Sequence, residues 1–208
     1  MMYPSLHDYL KSREREFALI TPERKGILQK IATFVTEKLR AGQDAQLVYI
    51  CTHNSRRSHL GQVWAQIAAH YYGVMPMKTF SGGTEATAMH TNTVQALIRA
   101  GVRVMKKEDG ENPVYELAYD DDITPMQCFS KVYHHETNPG KDFAAIMTCS
   151  DAEENCPFIP GVDLRIATTY DDPKISDGTS QQDKTYDERC AQIARECLWV
   201  MHEVKRSK

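Results

Sequence analysis

The chain has 208 residues, enough for one domain with a sizeable core or for a domain with an added lobe. Hydrophobic residues make up 41%, charged residues 25%, and the net charge is -3, so no global field argues for nucleic acid or an acidic membrane surface as partner. No apolar run approaches the roughly 20 residues of a membrane span, the start lacks the apolar stretch of a signal peptide, and six cysteines are too sparse for a secreted disulfide framework; the cytoplasm is the expected location.

Thr21-Pro22-Glu23 predicts a helix start, with Thr as cap, Pro at the first helical position and Glu in the first turn. Ile27, Leu28, Ile31, Phe34, Val35 and Leu39 then recur at helical spacing, and Ala41 to Asp44 closes the element. Leu47 to Ile50 reads as a buried strand. Leu60, Val63, Trp64, Ile67, Ala68 and Tyr71 mark a helix face that ends at Tyr72-Gly73. Met77 to Phe80 is a short strand, about Thr91 to Ala100 a helix, and Val102 to Lys106 another strand. The polar stretch 107–141 is read as an insertion whose hairpin strands are Val114 to Tyr119 and Phe129 to His134. Phe143 to Thr148 and Leu164 to Thr168 are strands, and Asp183 to Lys205 is a long terminal helix. The alternation predicts an α/β fold, a central parallel sheet with helices on both faces. Residues 1–45 are read as an N-terminal helical extension packing on the main domain, 46–208.

In such sheets ligands sit beyond the carboxyl ends of the strands, and Cys51 lies at one. It opens Cys51-Thr52-His53-Asn54-Ser55-Arg56-Arg57-Ser58, a cysteine, five residues and an arginine between a strand and a helix. A loop of this length wraps its backbone N–H groups into an anion nest, and the helix start adds positive potential. The same field favours thiolate over thiol. Ser58 offers a hydroxyl to the sulfur, Arg57 a planar fork for two oxygens, and Asn54 suits a left-handed backbone position. The plain alternative is a strand-to-helix turn with a buried Cys and two solvated arginines.

This segment resembles the active-site loop of the low-molecular-weight protein tyrosine phosphatases and of the thioredoxin-coupled arsenate reductases that share their fold, where the pattern runs close to C-T-G-N-S-C-R-S. The resemblance implies Cys51 as nucleophile, Arg57 as oxyanion ligand, Ser58 as support for the thiolate, and residues Thr52, His53, Asn54, Ser55 and Arg56 as the rest of the oxyanion cradle. His53 stands where the family has Gly, and Arg56 where it has a second Cys. Cys149-Ser150-Asp151-Ala152-Glu153-Glu154-Asn155-Cys156-Pro157 resembles the redox segment of those reductases, which ordinary phosphatases of the fold lack; it implies a thiol relay from Cys51 through Cys149 to Cys156. Tyr170-Asp171-Asp172-Pro173 is similar to the Asp-Pro loop of both families and implies Asp172 as general acid, with Asp171 as the alternative. Ser81-Gly82-Gly83-Thr84-Glu85-Ala86 resembles the loop after the second strand. Gln62 stands where some of the reductases have a Glu that helps hold potassium; no metal and no cofactor are called for.

The implied function is arsenate reduction with electrons from thioredoxin or another dithiol. The alternative is hydrolysis of phosphomonoesters through a phosphocysteine on the same three residues. A second alternative, from a different class, is a non-catalytic module that binds oxyanions or phosphoproteins. Cys190 and Cys197 are expected in the core of the terminal helix, Cys128 partly exposed in the insertion, and His134-His135 at a solvated strand end.

Overall fold

The computed structural model describes residues 1–155 and 158–207. A four-stranded, all-parallel sheet of order β2-β1-β6-β7 forms the centre, built from β1 (Ala45–Cys51), β2 (Met77–Gly83), β6 (Phe143–Met147) and β7 (Val162–Ala167). β1 lies between β2 and β6 and is buried on both faces, which is why its apolar residues run on without alternation. β1 and β2 end together, Cys51 opposite Gly83, and Ile50 lies opposite Met147 at the end of β6. The thiols Cys51 and Cys149 therefore emerge from neighbouring strand ends.

The two faces are covered unequally. Leu47, Tyr49, Ala144 and Ile146 face the large core shared with helices α1 (Pro4–Glu14), α2 (Pro22–Arg40), α3 (Arg57–Tyr72), α4 (Thr91–Arg99) and α6 (Gln182–Ser207). Val48, Ile50, Phe143, Ala145 and Met147 face a smaller cluster completed by Cys149, Ala152 and Ile159. The only α-helix on that side among the described residues is the short α5 (Ser150–Asn155). The α2 start follows its sequence signals: the Thr21 side chain accepts from Arg24 N at 3.2 Å and Pro22 is the first helical residue. Gly73, at φ 64°, ends α3 in the left-handed region that glycine adopts without cost.

The N-terminal residues add to the main core. Leu6, Leu10, Ile31 and Val35 are fully buried in it. Arg24 reaches across to Glu196 on α6 (Nε 3.0 Å, a second nitrogen 2.8 Å) and to the Thr168 carbonyl at 3.1 Å. The Tyr170 hydroxyl donates to the same Glu196 oxygen at 2.8 Å, so α2 and α6 brace the chain just before Asp172.

Three sequence expectations are corrected. The strand after α4 is β3 (Arg103–Glu108), and it joins β4 (Val114–Ala118) and β5 (Met126–Cys128) in a separate antiparallel sheet. Its composition, Arg-Val-Met-Lys-Lys-Glu, is too charged for burial on two faces of a parallel sheet. The hairpin partner is Met126–Cys128 and not Phe129 to His134, because the latter run is pulled onto the end of β2. Gly83 N donates to Lys131 O at 2.8 Å and Tyr133 N to Gly83 O at 2.9 Å. Cys128 is fully buried rather than partly exposed, and burial pushes its thiol up to about 12. Cys190 and Cys197 lie in the α6 core, where burial likewise raises both to about 12.

Candidate active site

The loop from Cys51 to Arg57 joins the end of β1 to the start of α3. Asn54 is its pivot. Its backbone sits at φ 45°, and its side chain, fully buried, accepts from Lys131 N at 2.9 Å while donating to Ser58 Oγ at 2.8 Å. Ser58 Oγ lies 3.0 Å from Cys51 Sγ. With Asn54 donating to its oxygen, the hydroxyl proton of Ser58 is directed to the sulfur.

The loop's carbonyls are tied outward. Cys51 O accepts from Thr84 N at 3.2 Å, Thr52 O from Glu85 N at 2.8 Å, His53 O from Ser130 Oγ at 2.9 Å and from Thr87 Oγ1 at 3.1 Å, and Ser55 O from His90 N at 3.0 Å. Among the described residues no backbone N–H from Thr52 to Arg56 donates to a protein acceptor. Carbonyls out and N–H groups free is the polarity an anion nest requires. A Cβ on Gly83 would stand 2.5 Å from Thr52 O and 2.7 Å from Asn54 N, so only glycine allows β2 to end this close to the loop.

The two arginines have different partners. Arg57 donates to Tyr170 O at 2.8 Å and to Asp172 Oδ2 at 2.6 Å, and its buried Nε has no hydrogen-bond partner among the described residues. The Arg56 guanidinium meets the Tyr186 hydroxyl at 2.6 Å and Asp177 Oδ2 at 2.9 Å. Asp172 caps a 3-10 turn (Pro173–Ser176), accepting from Lys174 N at 3.0 Å. Asp171 instead points to solvent and meets Arg189 at 3.2 Å. A cleft of about 820 Å³ opens at Arg57, lined also by Ser150, Asp151, Asp172, Lys174 and Ile175.

Cys149 is buried at the start of α5, where its sulfur accepts from Ala152 N at 3.4 Å and lies 3.5 Å from Thr52 Oγ1. The structure thus brings Cys51, Arg57, Ser58, Asp172 and Cys149 to one strand edge. Cys156 lies outside the described residues. His53 is exposed, 3.7 Å from Glu85, a separation at which a surface pair contributes little. Ser130, Lys131, Tyr170, Asp177 and Tyr186 support the site without having been singled out in the sequence; their partners lie 77 to 130 residues away in the chain, and no local pattern links them.

No protein-family model matches the chain. It is 25% identical over 136 residues to an arsenate reductase of Bacillus subtilis, and 26% identical to one of Bacillus licheniformis, each alignment covering 65% of this chain and 79% of the relative. Among solved structures, a YwlE mutant from Bacillus subtilis superposes with a TM-score of 0.53 at 13% identity, covering 77% of this chain and 99% of the other. A low-molecular-weight protein tyrosine phosphatase from T. tengcongensis gives 0.50 at 13% identity, covering 79% and 99%. The fold is that of the low-molecular-weight protein tyrosine phosphatases. Arsenate reductases are among the chain's sequence relatives, at 25–26% identity. No helix among the described residues is long and apolar enough to cross a membrane.

Proposed function

We propose that the chain is an arsenate reductase that passes two electrons through a cysteine relay. The observation that carries this reading is the position of Cys149, buried at the next strand end with its sulfur against Thr52, the residue after Cys51. Hydrolysis through a phosphocysteine does not require a second thiol there, which would then be a bystander or a redox safety device.

The thiolate of Cys51 attacks the arsenic of arsenate held by the loop N–H groups and Arg57, and Asp172 protonates the oxygen that leaves as water. Cys149, as thiolate, then attacks Cys51 Sγ. The S–As bond breaks, its electron pair stays on arsenic, and arsenite departs, leaving a Cys51–Cys149 disulfide. Cys156 attacks Cys149 and returns Cys51 as thiolate. The Cys149–Cys156 disulfide is reduced by thioredoxin or a similar dithiol, which supplies the two electrons. A reducing cytoplasm, where such dithiols are kept reduced, is the compartment this cycle needs.

The relay needs Cys149 to leave its pocket, and α5, between the two thiols, is short enough to unwind. Its main anchor is Arg165, which meets the Glu153 carboxylate at 2.7 Å and the Glu153 carbonyl.

The test compares wild type with Cys149→Ser and Cys156→Ser in two assays, arsenate-dependent consumption of thioredoxin electrons and hydrolysis of p-nitrophenyl phosphate. Loss of arsenate turnover in both variants with hydrolysis retained supports the relay. A wild type that hydrolyses the aryl phosphate but does not reduce arsenate moves the assignment to phosphatase, for which Cys51, Arg57 and Asp172 are equally suited.

A further inference from the structure

Two adjacent arginines open α3, and they hold the acid-bearing segment in two ways. Arg57 is a shared ligand. A guanidinium edge that grips two oxygens of a tetrahedral oxyanion offers Nε and one terminal nitrogen. In Arg57 the Nε is unpartnered among the described residues, but the terminal nitrogen on Asp172 is occupied at 2.6 Å. An oxyanion that takes this edge displaces the Asp172 carboxylate from it. That displacement frees Asp172 for proton transfer, and it also removes that carboxylate's contact with the loop.

Arg56 is not shared in this way. Its Nε donates to the Tyr186 hydroxyl at 2.6 Å and a terminal nitrogen to Asp177 Oδ2 at 2.9 Å. The Tyr186 hydroxyl in turn donates to Asp177 Oδ1 at 2.7 Å, and Asn92 Nδ2 reaches the same oxygen at 3.3 Å. Both carboxylate oxygens of Asp177 are therefore engaged, by donors from α4, from α6 and from the residue that precedes α3. Burial pushes the Asp177 carboxyl up, but the Tyr186 hydrogen bond and the Arg56 and His90 charges outweigh it and hold the group below its ordinary range. Asp172 and Asp177 bracket a single 3-10 turn, stiffened by Pro173 at its first position and by the Ser176 hydroxyl on Pro173 O at 2.9 Å. An element this short moves as a unit, so fixing one end fixes the other.

We propose that Arg56 is a positioning residue, and that its clamp on Asp177 and Tyr186 keeps the Asp172 turn over the loop while Arg57 exchanges Asp172 for the substrate oxyanion. The inference rests on Asp172 being the acid of the proposed reaction, and it assigns the Arg56 side chain to the turn rather than to the oxyanion. It also gives a physical reason for an arginine at the position where the related loops carry a cysteine: a thiol cannot span to Asp177 and carries no charge to hold it.

The test uses the full chain with inorganic phosphate as the probe. Amide hydrogen exchange across residues 172–178 is compared in wild type, Arg56→Ala, Arg56→Lys and Asp177→Asn at saturating phosphate, and phosphate affinity is measured by calorimetry. Arg56→Ala and Asp177→Asn are expected to exchange about tenfold or more faster in this segment, as loss of a charge-assisted hydrogen bond implies. Arg56→Lys restores part of the protection, and phosphate affinity stays within about twofold of wild type. Tyr186→Phe, which removes one hydroxyl only, gives a smaller acceleration and serves if Arg56→Ala does not fold. Unchanged exchange in Arg56→Ala and Asp177→Asn overturns the proposal, as does a tenfold loss of phosphate affinity in Arg56→Ala, which would make Arg56 an oxyanion ligand. Where wild type reduces arsenate, the turnover number of Arg56→Ala falls with little change in KM. Where it does not, the arsenate assignment fails, while the exchange and affinity results still decide the clamp.

Discussion

Replacing Ser58 by alanine removes the one hydroxyl among the described residues that meets the Cys51 sulfur. Ser58 Oγ lies 3.0 Å from Cys51 Sγ and accepts the Asn54 amide N–H at 2.8 Å, in a site with no solvent access at Ser58. Because Asn54 supplies a proton to that oxygen, the serine's own proton faces the sulfur. A hydrogen bond to a charged acceptor contributes about 1.5–3 kcal/mol. At about 1.4 kcal/mol per factor of ten, that contribution is worth a factor of about 10 to 150. A thiolate without that bond is also the better nucleophile, and this returns about half the effect on a logarithmic scale, leaving a net drop of about 3- to 12-fold in rate. The measurement is the second-order rate of Cys51 alkylation by iodoacetamide at neutral pH, read on the Cys51 peptide by mass spectrometry so that the other cysteines do not contribute. A Ser58→Ala rate equal to wild type would refute the reasoning, because it would mean that the hydroxyl donates nothing to the sulfur. Ser58→Thr, which keeps the hydroxyl, serves as the control for packing.

Three further outcomes follow from the packing and charge around the loop. Gly61→Ala places a Cβ 2.2 Å from the buried Tyr49 ring, an overpacking worth about 3 kcal/mol, and the melting temperature is expected to fall by about 6–12 °C. Gly82→Ala meets the Tyr133 backbone at 2.4 Å, so residues 129–133 should lift from the loop, seen as faster amide exchange there with the main sheet still protected. His59 is fully buried, and burial, helped by the nearby Lys131 charge, lowers it to about 3 from 6.5. The unfolded chain therefore takes up this proton first, and the His59 contribution is complete above about pH 6.5 and is lost as pH falls toward 3. Urea unfolding at pH 7.5 and 4.5 should show that loss, up to about 3 kcal/mol from the two units below about pH 6.5, in wild type, and a smaller one in His59→Leu; equal losses in the two proteins would refute it.

The elements that local chemistry dictates were legible in the chain itself. Thr21-Pro22 starts α2, Gly73 ends α3, and the continuous apolar run of β1 marks a strand buried on both faces. The Cys-x5-Arg-Ser loop between strand and helix is legible for the same reason: its N–H groups, hydroxyls and guanidinium are neighbours in sequence, so their chemistry is written within eight residues. Burial of Cys128 and the capture of residues 129–133 by the end of β2 were not legible, because each depends on groups far along the chain.

By itself, the sequence determined that a thiol sits at a strand end in a loop that leads into a helix, since backbone polarity and helix start are local properties. Only the tertiary structure decided which groups complete that site. Parallel pairing of β1 with β6 brings Cys149 against Thr52 across 97 residues, and packing of α6 on α3 hands Arg56 to Tyr186 and Asp177 across 130 and 121. Two adjacent arginines look alike in a sequence; their different partners, Asp172 and Tyr170 for one and Asp177 and Tyr186 for the other, are set by what the fold places in front of each guanidinium.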